Sequence, residues 1–374
     1  MAKKERLGKS ITYFDYNLLF LIIFLLCFGL VMVYSSSSYT SARNYGDAAY
    51  YLKLQLRNIL LGLVPMIFFA KVDYRVWKKV GTLAYIGAFF LCVLVHVPAF
   101  NKSSHGSSRW LQIGPISFQP SEIAKLAVII FMAMLIEKIS KQMGNFWTLA
   151  KVVVIMLPLL AVIASSNLST GIIIFGIIVC MLFVASPKYS HFLAVGLAAV
   201  VFLVVFIALA GYRSGRVQAW LHPETATADE VYQTTMGLYA IGSGGLFGKG
   251  LGESLQKMGN VPESQNDMIF TIICEELGLF GAVCVILLFV LMIWRMMIIA
   301  NNAQDLFGAL LVTGVMSHIA IQVILNIAVV TNTIPNTGVI LPFISYGGTS
   351  LIFLMAEMGL VLSVSKGIRL EKLE

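Results

Sequence analysis

Asp267 stands at the threshold of a long apolar run, in the stretch "PESQNDMIF", and the run that follows, "TIICEELGLFGAVCVILLFVLMIW", carries Glu275 and Glu276. A charged side chain at the centre of a membrane helix costs about 2.5–3.5 kcal/mol on insertion scales, so such residues need partners or a purpose. A second group lies in "RWLQIGPISFQPSEIAKLAVIIF", where Glu122 and Lys125 are three residues apart on one helical face with the acid first, the favourable order. Arg109 and Trp110 precede them. A third group, His318, Gln322 and Asn326, recurs every four residues and so shares one face. Two chemistries fit these residue types. One is structural, a self-satisfied ion pair and hydrogen-bonded glue between helices. The other is a polar cavity, opening outward, that holds a charged or polar ligand.

The elements that must position these groups follow from composition. Of 374 residues, 59% are hydrophobic and 12% charged, about half the charged share of a soluble domain. Runs of about 20 apolar residues, the length that crosses a bilayer core, recur near 16–34, 53–70, 80–100, 121–136, 149–165, 168–186, 190–211, 268–294, 306–330 and 337–364. They are too long, and alternate too little, to be strands. The expected fold is an all-α integral membrane protein of ten transmembrane helices, one polytopic domain over residues 1–374. The first run is too long for a cleaved signal peptide and no A-x-A site follows it. With the N-terminus inside, most Lys and Arg residues fall in short inside segments, as the positive-inside rule requires. Both termini are then cytoplasmic. The net charge of +8 reports topology and not nucleic-acid binding.

Residues 212–267 form the one long connection, placed outside between the seventh and eighth spans. Its glycine cluster, Gly242, Gly244, Gly245, Gly248, Gly250 and Gly252, suggests a phosphate loop but lacks the Walker spacing, because Ser243 and Gly250 stand where Gly and Ser or Thr are needed. Glycines there suit tight turns and close backbone approach. The stretch "TNTIPNTGVILPFISYGGTSL" has two prolines and three glycines, which predicts a broken helix lining protein or water. The five cysteines lie within spans with no CxxC pair, and no haem, flavin or metal motif is present.

"FISYGGTS", "GSGGLFGKGLGES", "PESQNDMIF…EELG" and "RWLQIG…FQPSEIAKL" resemble the SEDS proteins (shape, elongation, division and sporulation), the FtsW/RodA/SpoVE group, over essentially the whole chain. The resemblance implies a peptidoglycan glycosyltransferase of the bacterial cytoplasmic membrane that polymerises lipid II on the outer face. It also implies a class B penicillin-binding protein as transpeptidase partner, within a division or elongation complex. The family's essential acid falls on Asp267. Its pattern also marks Arg109, Trp110, Gln119, Ser121, Glu122, Lys125, Glu263, Glu275, Glu276 and the glycine-rich loop. Many members carry an acid between the fifth and sixth spans, where this chain reads "SSNLSTG" with Asn167. The "FISYGGTS" form leans toward the division or sporulation branch.

The implied reaction joins a GlcNAc 4-hydroxyl to an anomeric carbon bearing lipid diphosphate, with inversion. One carboxylate should take the hydroxyl proton, as in inverting glycosidases, and Asp267 is the candidate. Glu275 and Glu276, deeper, are expected to orient loops or pair with basic residues. Positive groups should meet the diphosphate: Arg109, Lys125, Arg213, Arg216, Lys249 and Lys257 are on the expected side, and a bound divalent cation is the alternative. A different class, a flippase or transporter of lipid-linked precursors, would also line a path with acids and bases, and a scaffold of the division complex is a third reading. The motifs cluster at one side of the membrane, which favours the enzyme.

Overall fold

The computed structural model describes residues 14–97, 101–104, 107–113, 116–188, 196, 217–225 and 227–368. Helices α1 (Tyr16–Tyr45), α2 (Tyr50–Lys71) and α3 (Trp77–Leu94) lead into a small antiparallel sheet, β1 (Asn101–Ser104), β2 (Ser107–Ile113) and β3 (Ile116–Phe118). Helices α4 (Pro120–Lys138), α5 (Phe146–Ser166), α6 (Leu168–Ala185), α7 (Ala228–Ser243), α8 (Ile269–Asn301), α9 (Leu306–Val330) and α10 (Thr349–Lys366) follow.

Local sequence explains where these helices begin. Asp15 accepts the N–H of Leu18 at the start of α1, Asn145 accepts that of Trp147 at α5, and Asp305 accepts that of Gly308 at α9, each relieving an orphan donor of the first turn. Asn167 closes α5 and opens α6, taking the Thr170 N–H on its side chain, so the reversal read from "SSNLS" is one residue deep. Helix α1 stops at Gly46, whose φ of 71° is the left-handed cap.

Among the described residues eight helices are long and apolar enough to cross a membrane. Helix α4 is not among them because Glu122, Lys125, Glu137 and Lys138 interrupt it, yet it is buried along most of its length. The run at 190–211 lies outside the described residues, so the expected count of ten is not reached among them. Helices α9 and α10 form the axis, 67% and 72% buried along their apolar stretches, whereas the α3 stretch is 17% buried and peripheral.

The all-α expectation fails at residues 101–118. That segment is mostly polar and too short of apolar residues for a span. It folds back as strands in the order β1-β2-β3, with Lys102 opposite Trp110 and Leu111 opposite Phe118. The expected eighth span is also not one rod. Gly278 sits at φ 68° and ψ −167°, inside what reads as a single run, and divides α8 into a short piece (269–277) and a long one (279–301).

Loops that the charge pattern assigns to one side do meet at one end of the bundle. Arg295 reaches Asp15 at 2.6 Å, Arg75 reaches Asp305 at 2.8 Å, and Ser186 donates to the Met143 carbonyl. At the other end His96 meets Ser165, Ser169 donates to the Thr337 carbonyl, and Trp220 donates to that of Asn332.

Candidate active site

The turn carrying Asp267 is fastened on three sides. Ser264 donates to the Ser36 carbonyl of α1 at 3.1 Å. The Tyr346 N–H donates to the Gln265 carbonyl, and the Ser345 hydroxyl donates to that of Asn266 at 2.7 Å. The Asn326 side chain of α9 donates to the Asp267 carbonyl at 2.8 Å. Asp267 itself is buried to 7% exposure, and an atom added at Gly338 would lie 3.7 Å from its Oδ2. Gly338, at φ 68°, therefore brings bare backbone to the carboxylate. Glu263, three residues upstream of Asn266, accepts from the Asn266 amide and itself holds a left-handed φ of 53°.

The glycine-rich loop packs its backbone on the start of α8. A Cβ at Gly244 would collide with the Cys274 carbonyl, and one at Gly248 with that of Glu276. The close approach lets the N–H groups of Lys249 and Gly250 donate to the Glu275 and Glu276 carbonyls at 3.0 Å each. Across the Gly278 break, the N–H groups of Leu279 and Phe280 donate to the Gly245 and Leu246 carbonyls. The loop thus satisfies backbone groups that the break leaves out of the helix ladder.

Both deeper acids are fully buried in ion pairs. Glu275 accepts from Lys249 at 2.7 Å and from Ser254, with the Leu255 and Gln256 N–H groups at 3.2 and 3.3 Å. Glu276 accepts from Lys257 at 2.8 Å and from Ser35 of α1 at 2.7 Å. The charges of Lys249 and Lys257 are thereby balanced within the protein.

Glu122 and Lys125 pair at 2.9 Å, with side chains 7% and 2% exposed. His318 and Ser350 are among the further neighbours of Glu122. The polar face of α9 runs from there to Asp267. His318 stands between Glu357 at 2.7 Å and the Gln322 amide oxygen at 2.8 Å. Gln322 donates to the Ile340 carbonyl, and Asn326 to those of Val339 and Asp267. Eight residues of helix, about 12 Å, separate the His318 level from the Asn326 level. Arg109, Gln119, Ser121, Ser166 and Asn167 line a small pocket where β2, α4, α5 and α6 meet. Trp110, beside Arg109 on β2, is half-buried. Arg213 and Arg216 lie outside the described residues. Sequence reasoning missed Ser35, Ser345 and Glu357. Of these, Glu357, a lone acid in the apolar stretch "LIFLMAEMGLVL", had a readable signal.

The family model for the FtsW/RodA/SpoVE cell cycle proteins matches residues 16–369. The chain belongs to the FtsW/RodA/SpoVE family. It is 38% identical over 354 residues to the stage V sporulation protein E of Bacillus subtilis (strain 168), covering 94% of this chain and 97% of that one. It is 35% identical to a probable peptidoglycan glycosyltransferase FtsW of Geobacter sp. (strain M18), covering 96% and 99%. A solved chain from a peptidoglycan synthase complex, described as coordinating polymerization and crosslinking, superposes with TM-score 0.79 at 26% identity, covering 94% and 97%.

Within this FtsW/RodA/SpoVE chain, Asn167 serves as the cap between α5 and α6, a role an amide fills as well as an acid does. Among the described residues no group of three His, Cys, Asp or Glu could hold a metal ion. A divalent cation arriving on a diphosphate would keep phosphate oxygens and water as its main ligands.

Proposed function

We propose that this chain polymerises lipid II as a peptidoglycan glycosyltransferase, working at the outer face of the bacterial cytoplasmic membrane beside a class B penicillin-binding protein. Both termini lie in the cytoplasm on this reading, and the bundle has ten spans, with α4 and the run at 190–211 completing the eight. The observation that carries the reading is Asp267, a carboxylate at 7% exposure on a turn fastened by Ser264, Ser345, Asn326 and the Tyr346 N–H. The relatives named as peptidoglycan glycosyltransferases and as a peptidoglycan synthase complex support it.

In the proposed reaction Asp267 accepts the proton of the acceptor 4-hydroxyl as its oxygen bonds to the donor anomeric carbon. The bond from that carbon to the diphosphate breaks, its electron pair leaves with the lipid diphosphate, and the sugar inverts. Arg109, Arg213 and Arg216 would meet the diphosphate on this reading, while Lys125, Lys249 and Lys257 each face a carboxylate. Trp110, Gln119 and Ser121 would complete the contacts around Arg109, while Glu122, Glu263, Glu275 and Glu276 hold the walls in shape.

The test is Asp267→Asn in purified protein with its transpeptidase partner and lipid II. Turnover should fall about 100-fold or more, the usual scale for a lost general base. A parental polymerisation rate would remove Asp267 from that role. Liposomes with lipid II confined to the accessible leaflet separate the enzyme from a flippase: glycan should form without translocation.

A further inference from the structure

The α9 face carries a device that the reaction chemistry does not itself call for. Asn326 is fully buried, and its single amide nitrogen donates in two directions, to the Val339 carbonyl at 2.7 Å and to the Asp267 carbonyl at 2.8 Å. These two carbonyls belong to segments about seventy residues apart in sequence. One is the irregular stretch that presents Gly338; the other is the turn that presents the carboxylate. At the start of α8 the Thr271 N–H donates to the Met268 carbonyl, and the Asp267 carbonyl accepts from the Asn326 side chain. Gln322, one turn earlier, makes only half of this link, donating to Ile340 at 3.0 Å.

We infer that Asn326 is a positioning residue of Asp267: its two N–H groups fix the carboxylate-bearing turn against the segment that presents Gly338. The inference rests on the proposed role of Asp267 as proton acceptor. Planar amide geometry makes the link stiff, because both donors sit on one nitrogen and neither bond can lengthen without tilting the other. Without the amide the Asp267 and Val339 carbonyls lose their shared donor, and the turn would shift and move the carboxylate. A shift of about 1 Å can cost about 100-fold in rate.

The experiment compares Asn326→Leu, similar in size but without donors, with Gln322→Leu in the purified protein with its partner. Both should lower the unfolding temperature. Asn326→Leu should lower kcat about 10- to 100-fold with KM within about twofold and a changed pH–rate profile, whereas Gln322→Leu should cost about threefold or less. Asn326→Asp, also of like size, serves where the leucine variant does not accumulate. Parental kcat and pH profile in a folded Asn326 variant would overturn the inference, as would equal losses from Asn326→Leu and Gln322→Leu. Failure of both Asn326 variants to fold would make the residue structural and overturn it too. An active Asp267→Asn enzyme defeats the catalytic reading, while an inactive one beside a parental Asn326→Leu defeats only the positioning role.

Discussion

Lys257 and Glu276 meet at 2.8 Å with side chains 5% and 0% exposed, and the Ser35 hydroxyl bridges them, donating to the acid and accepting from the ammonium at 3.2 Å. The ammonium also donates to the Gly252 carbonyl at 2.6 Å. Three parts of the chain therefore converge on one charge pair: the long loop, the short piece of α8 and the serine-rich end of α1. Removing one partner strands the other charge, which costs about 3–5 kcal/mol, while removing both is far milder. Lys257→Met should lower the unfolding midpoint in detergent sharply, and Lys257→Met with Glu276→Gln should recover most of the loss. Equal midpoints for the single and double variants would contradict this account.

The glycines of the long loop should differ from one another. Alanine at Gly244 or Gly248 meets the carbonyl of Cys274 or Glu276, and Gly248 also holds a φ of 78°. At Gly242 nothing lies within 4 Å of an added Cβ. Gly244→Ala and Gly248→Ala should lose activity and folded yield together, since the loop must lift off α8. Gly242→Ala should match the parent in yield and turnover. A harmless Gly248→Ala would show that the backbone contact is not required.

Asp305, at the opposite end of the bundle, links α9 to the turn before α3. Burial pushes its carboxyl up, but the Gly308 N–H, the Arg75 guanidinium and the Tyr74 hydroxyl outweigh it and hold the group below its usual 3.8. A depressed folded pKa contributes stability above the unfolded value and loses it as pH falls through the folded one. The gap in unfolding midpoint between parent and Asp305→Asn should be full at neutral pH and close as pH falls below about 4. A gap independent of pH would assign the effect to shape and not to charge.

Asp267 was legible because a carboxylate at the edge of hydrocarbon is costly enough to stand out in any apolar run. The period of four on α9 put His318, Gln322 and Asn326 on one face, yet their partners were hidden. Glu357 and the carbonyls of Val339, Ile340 and Asp267 come from other segments, and spacing within one helix says nothing about what faces it. The glycine cluster announced close backbone contact without naming the surface it touches. Gly278 was silent, since glycine is common in membrane helices and only a left-handed φ distinguishes a break from a packing residue. The sheet at 101–118 went unread because attention to long apolar runs treats a short polar stretch as plain connection.

The break at Gly278 gives the two pieces of α8 separate fates. The contacts of the long loop through Lys249 and Lys257 therefore bear on a stub of about two and a half turns and not on the long rod beyond it.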